Sequence, residues 1–193
     1  MVKLHNIGGA DKVNDSESWQ WIKAILFALV LAFIVRSFIF TPVIVEGESM
    51  LPTLGDHDRM IVNKLGYLLD EPERFDIIVF HAEEGKDYIK RVIGLPGDKI
   101  SYKNDILYVN GMPLEEEFLT EFKADAPFLP LTGSFELGDV LSADTVPSDH
   151  LFVLGDNRRY SKDSRHIGLV PYEEVVGTAK IVFWPVERLK LVN

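Results

Sequence analysis

Lys99-Ile-Ser-Tyr-Lys-Asn-Asp-Ile-Leu-Tyr-Val-Asn-Gly111 holds two short apolar-polar runs, Lys99–Lys103 and Ile106–Val109, each followed by a turn dipeptide. Asn110-Gly111 is a strong two-residue hairpin signal, because both residues tolerate the left-handed backbone such a turn needs, and Asn104-Asp105 is a weaker one. Runs of the same kind recur on either side, at Arg59–Asn63, Asp76–Phe80, Tyr88–Ile93, Leu151–Leu154 and Val175–Phe183, with Gly94-Leu-Pro-Gly97 as a further turn. Short strands rich in Val, Ile, Phe and Tyr at this spacing predict an all-β body, a closed or partly closed antiparallel β-barrel. Glu115 to Ser148 is acidic, proline-bearing and poorly periodic, so it reads as a loop-rich excursion (115–148) with no chemistry assigned.

Upstream of the strands the period disappears. Ala24 to Val35 is unbroken apolar, and Ile22 to Phe40 comes close to the ~20 residues that a bilayer requires. Lys23 and Arg36 lie near the ends of this segment, where long basic side chains reach the headgroups, and Trp19 and Trp21 suit an interfacial belt. Ser37-Phe-Ile-Phe-Thr-Pro42 lacks the small residues of a cleavage site, so a retained anchor is expected rather than a removed signal. The expected organisation is a leader at 1–18, one transmembrane helix at 19–41 and a β domain at 42–193. Lys3, Lys12 and Lys23 precede the apolar run and the next basic residue after Arg36 is Arg59, which predicts a cytoplasmic N-terminus and an extracytoplasmic domain.

A net charge of −10, from 30 acidic and 20 basic side chains, argues against a nucleic-acid partner, whose binding would rest on phosphate neutralisation. Cysteine is absent, which removes thiol catalysis, disulfides and thiolate metal sites. No His-Glu-x-x-His or comparable spacing supports a metal, and no cofactor is expected.

Chemistry concentrates in three stretches. Val45-Glu-Gly-Glu-Ser-Met-Leu-Pro-Thr-Leu54 sets Ser49 in a tight segment between Gly47 and Pro52, as a serine nucleophile needs. In Tyr88-Ile-Lys-Arg-Val-Ile-Gly-Leu-Pro-Gly-Asp98, strand alternation puts Lys90 on one face between Tyr88 and Val92. Desolvation there would favour the neutral amine, whereas an ordinary lysine, near 10.4, is only ~0.04% neutral at pH 7. A lysine reaching to water from an edge strand is the alternative. Gly155-Asp-Asn-Arg-Arg-Tyr-Ser-Lys-Asp-Ser-Arg-His166 packs arginines, aspartates and serines densely enough to brace a site.

These stretches, together with Arg-Phe-Asp-Ile-Ile-Val-Phe80 and the apolar segment, resemble the type I signal peptidases, membrane-anchored Ser-Lys proteases, in their shorter Gram-positive form. The resemblance covers nearly the whole chain. It implies a serine endopeptidase that cleaves signal peptides from exported preproteins at the lipid bilayer, through an acyl-enzyme. By matching position, Ser49 is the nucleophile and Lys90 the general base. Ser161 would orient the lysine amine, while Asp156 with Arg91 and Asp163 with Arg165 would form ion pairs behind them. Some relatives use a serine hydroxyl two residues before the nucleophile as an oxyanion donor. Here that position is Gly47, so the oxyanion is left to the backbone N–H of Ser49 and that of Gly47. The substrate would dock as an added strand, with Val43–Glu46 as the edge. His57, His81, His150 and His166 supply a rival Ser-His reading that spacing alone does not exclude.

Overall fold

The computed structural model describes residues 15–38, 40–64, 71–82, 85–125 and 130–192. The chain divides after Ser37 into two compact units. The first contains helix α1, Asp15–Phe38. Residues 15–18, expected in the leader, are the first turn of this helix; Asp, Ser and Glu are helix-start residues. The rest of that leader lies outside the described residues. Among the described residues, no helix is long and apolar enough to cross a membrane.

The helix expected to reach residue 41 ends at Phe38, and β1 occupies Phe40–Ile44. The residue before a proline avoids helical backbone, and Thr41, Val43 and Ile44 are β-branched, so Thr41-Pro42 turns the chain to extended structure. Among the described residues eleven further strands follow: β2 Arg59–Asn63, β3 Ile77–His81, β4 Asp87–Gly94, β5 Ile100–Lys103, β6 Ile106–Val109, β7 Met112–Leu114, β8 Phe135–Glu136, β9 His150–Leu154, β10 Val170–Pro171, β11 Val175–Trp184 and β12 Lys190–Leu191. All pairings are antiparallel.

The described strands form two sheets, and the body is the antiparallel β structure expected. The larger runs β1-β2-β11-β3-β4-β9-β10, with β12 on β11. The smaller runs β7-β6-β5-β8. Its two hairpins turn where the sequence predicts, with positive φ at Asn104, Asp105, Asn110 and Gly111. The excursion is folded too. Phe135 pairs with Tyr102 at the edge of β5, and Leu137 and Val146 are buried with Tyr102, Leu107 and Phe152. The Asp105 carboxylate accepts the Leu131 and Thr132 N–H groups at 2.9 and 2.7 Å. Phe118, Phe135, Leu137, Leu141 and Val146 reach the cluster around Tyr102 from separate short segments, so the stretch carries no single period.

Strand β4 positions the chemistry. Ile89 packs on the core around Met50, Val62 and Val79, Val92 joins Phe80 and Val153, and Ile93 joins Phe152 and Leu154. Fully burying one such side chain stabilises by about 1.5–3 kcal/mol, which holds this strand rigidly between three clusters. Lys90 and Arg91 lie in the same strand and are themselves buried.

Candidate active site

The segment after β1 extends the strand ladder for one step, with Val45 N–H donating to Asp58 O and His57 N–H to Val45 O, both at 2.8 Å. Gly47 then takes a φ of +87°, where a side chain would be strained. Leu51 N–H donates to Glu48 O at 3.2 Å and Leu54 N–H to Met50 O at 2.8 Å, closing a tight turn around Ser49. Met50 and Leu54 are buried in the core and pin that turn from beneath.

Ser49 Oγ lies 2.8 Å from Lys90 Nζ. The lysine is 4% exposed, its Nζ also donates to Ile89 O at 2.9 Å, and the Tyr88 ring centroid is 5.3 Å away. Burial pulls the Lys90 pKa down from 10.5 to about 8, against the opposing pull of Asp163 and Asp156. Roughly a tenth of the amine is then neutral at pH 7, some two hundred times the share of a free lysine. A cleft of about 600 Å³ opens over the pair, walled by Ile44, Val45, Tyr88 and Ile89.

Two ion pairs lie behind. Arg91 grips Asp156 with Nε to Oδ1 at 2.9 Å and Nη2 to Oδ2 at 2.7 Å, both side chains fully buried. Its Nη1 also donates to Phe75 O at 2.8 Å, and its guanidinium lies 3.8 Å from the Phe118 ring centroid. Arg165 holds Asp163 in the same two-point manner, at 2.8 Å for each contact.

Two expectations are corrected. Among the described residues the buried hydroxyl of Ser161 has no hydrogen-bond partner, so the bond to Lys90 implied by the resemblance is not made. Lys90 Nζ is held by Ser49 Oγ and Ile89 O instead, and Ser161 packs onto the bare Cα of Gly155. The Gly47 N–H donates to Asp56 Oδ1 at 2.8 Å and is not free for an oxyanion. The left-handed turn at Gly47 aims this amide at the Asp56 carboxylate.

Three contributors escaped sequence reasoning. Asn157 holds the serine turn, its backbone N–H on Ser49 O and its Nδ2 on Glu48 O, each at 3.1 Å. Arg158 is buried against Glu116, Tyr102 and Thr132 and donates through Nε to Gly155 O at 3.0 Å. Glu116 thereby ties the excursion to the loop beneath the site. Only the density of polar residues after Leu154 hinted at this. The histidines of the β domain are engaged elsewhere, His57 with Asp56, His81 with Asp87, His150 with Ser148 O and His166 near Asp163. Among the described residues no group of three or more His, Asp or Glu could hold a metal ion.

The signal peptidase family, peptidase S26, matches residues 18–184. The chain belongs to this family. The signal peptidase I of Bacillus caldolyticus is 48% identical over 177 residues, 92% of this chain and 95% of that protein. Signal peptidase IB of Staphylococcus aureus is 44% identical over 178 residues, 90% of this chain and 93% of that protein. A crystal structure of a signal peptidase I from Enterococcus faecalis V583 aligns with a TM-score of 0.54 at 41% identity, covering 56% of this chain and 97% of that one. The mainly antiparallel domain is thus a signal peptidase fold, and its cleft is where signal peptidase chemistry has to be sought.

Proposed function

We propose that this signal peptidase cleaves signal peptides from preproteins with Ser49 as nucleophile and Lys90 as general base. The observation that carries the reading is the 2.8 Å contact between Ser49 Oγ and a lysine whose pKa burial holds at about 8. Neutral Lys90 takes the Ser49 proton as Oγ attacks the scissile carbonyl, and the negative charge moves onto the carbonyl oxygen, which the Ser49 N–H faces. The Lys90 ammonium then protonates the leaving amine, the mature chain departs, and a water deprotonated by Lys90 hydrolyses the ester. Arg91–Asp156 ties β4 to the loop after β9, and Asp163, held by Arg165, braces that loop at Gly155 N–H. The substrate docks in extended form along β1, with small side chains facing Ile44, Val45 and Ile89.

The apolar segment before the domain serves as the membrane anchor, with an extracytoplasmic catalytic domain; the described side chains, 18–33, are fewer than a bilayer requires, and the apolar sequence continues to Phe40. Support comes from its described side chains at 18–33, all exposed, among them Trp19, Trp21, Ile25, Phe27 and Phe33. A continuous apolar surface of this kind needs a non-aqueous neighbour. Lys23 lies 5.5 Å from the Trp19 ring centroid, a pairing suited to the headgroup level.

The test is incubation of a purified preprotein with the native enzyme, Ser49→Ala and Lys90→Ala, read on a gel. Both variants should be inactive while folded, and the double variant no worse than either, since the two groups act as a unit. Substantial cleavage by Lys90→Ala sinks the assignment.

A further inference from the structure

The Glu48–Ser49 peptide is trans, so its C=O and N–H point in opposite directions across one rigid plane. Whatever holds the Glu48 oxygen therefore also aims the Ser49 N–H. Two donors hold it, Leu51 N–H at 3.2 Å from within the turn and Asn157 Nδ2 at 3.1 Å from the loop after β9. The neighbouring plane is fixed from the same place, because Asn157 N–H donates to Ser49 O at 3.1 Å. One residue, 7% exposed and a hundred and nine positions from Glu48, thus clamps both peptide planes that flank the Ser49 Cα.

The clamp is itself braced. Gly155 brings its bare Cα so near that a methyl there would stand 2.4 Å from Ser49 O. Arg158 Nε holds Gly155 O at 3.0 Å, and Arg165 Nη2 holds Arg158 O at 2.7 Å. Gly47, the other expected donor, has its N–H committed to Asp56. Orientation of the Ser49 amide therefore matters more here than it would in a site with several free donors.

We propose that Asn157 is a positioning residue for the oxyanion, aiming the Ser49 N–H through its hydrogen bond to the Glu48 carbonyl. It touches neither the reacting atoms nor Lys90. Its side chain should matter only once negative charge develops on the substrate carbonyl oxygen, because an amide a few tenths of an ångström or some tens of degrees off serves a neutral carbonyl almost equally well. The inference rests on Ser49 being the nucleophile.

The experiment uses the full chain in detergent micelles with Asn157→Leu, similar in size without a donor, and Asn157→Ser, smaller and polar. Both keep the backbone N–H on Ser49 O. Expected is a fall in kcat of about 10–100-fold with KM within about twofold, below the 10²–10³ that follows outright loss of an oxyanion donor. A peptide aldehyde, which adds to Ser49 as a tetrahedral hemiacetal, should weaken by the same factor as kcat/KM. Binding of the uncleaved peptide, measured on a Ser49→Ala background, should not change, nor should the pH at which activity rises. Unchanged kcat in both variants overturns the proposal. So does equal weakening of aldehyde and uncleaved peptide, or a loss of kcat that only follows the folded fraction in a thermal melt. If the aldehyde adduct on the native enzyme is not on Ser49, the catalytic reading fails instead, whatever Asn157 does.

Discussion

Lys90 Nζ and Ser49 Oγ meet at 2.8 Å across 41 positions of sequence, because β4 and the turn after β1 share one buried cluster. The amine is dry enough for its pKa to sit at about 8, and charge from Asp163 and Asp156 stops it falling further. Activity that needs the neutral amine is lost as protons are added. We therefore expect kcat/KM to rise with pH through about 8 and to level off above it, measured on a short soluble peptide. Asp163→Asn removes an anion that raises the Lys90 pKa, so it should move this limb to lower pH. A limb near 6.5 that disappears in His166→Ala would restore the Ser-His reading.

The same burial costs stability. Below pH 8 lysine is protonated both folded and unfolded, and the full desolvation cost is felt. Between about 8 and 10.5 only the unfolded chain keeps the proton, so stability rises with pH; above 10.5 the difference is gone. Lys90→Met keeps the length and removes the charge. It should be inactive yet stabilise the domain by on the order of 2–3 kcal/mol at pH 7, a gain that shrinks from pH 8 to 10.5 in denaturant melts.

Arg91 and Asp156 form a fully buried two-point pair. Asp156→Ala leaves the guanidinium without its counter-charge and should destabilise by about 3–5 kcal/mol, measured by urea unfolding. A loss below ~1 kcal/mol would show that water reaches Arg91.

Gly155→Ala sets a methyl 2.2 Å from Ser161 Oγ and 2.4 Å from Ser49 O. The serine can rotate but the carbonyl belongs to the turn itself, so the turn must shift. A displacement approaching 1 Å at the nucleophile costs on the order of 10² in rate. Expected is that loss in kcat/KM, with Gly133→Ala, at an open position whose backbone is not left-handed, as the control for a general glycine effect.

The anchor reading predicts a substrate-dependent loss. A chain starting at Phe38 keeps all of β1, whereas one starting at Val43 forfeits the pairs Phe40–Asn63, Thr41–Val62 and Pro42–Ile61. The Phe38 form should cleave short soluble peptides nearly as well as the full chain and lose most on membrane-embedded preproteins, because co-anchoring raises effective concentration without new contacts. An equal loss on both substrates, with lipid present, would place the contribution of residues 1–37 in the fold of the domain.

The sequence by itself determined what depends on neighbours in the chain. Turn dipeptides located both hairpins of the smaller sheet, since left-handed backbone at Asn104–Asp105 and Asn110–Gly111 is a local preference. The residue types around Ser49 and Lys90 and after Leu154 were sufficient to assign the family. Only the tertiary structure decided how partners are allotted. It split the strands into two sheets and folded residues 115–148 around Glu116 and Arg158. It gave the Gly47 amide to Asp56, left Ser161 Oγ without a partner among the described residues, and put Asn157 on Glu48 O. A donor takes whichever acceptor the fold brings within about 3 Å, and a lysine loses its water only when several segments close over it. Here those segments lie up to 109 positions apart, and no local pattern records which of them meet.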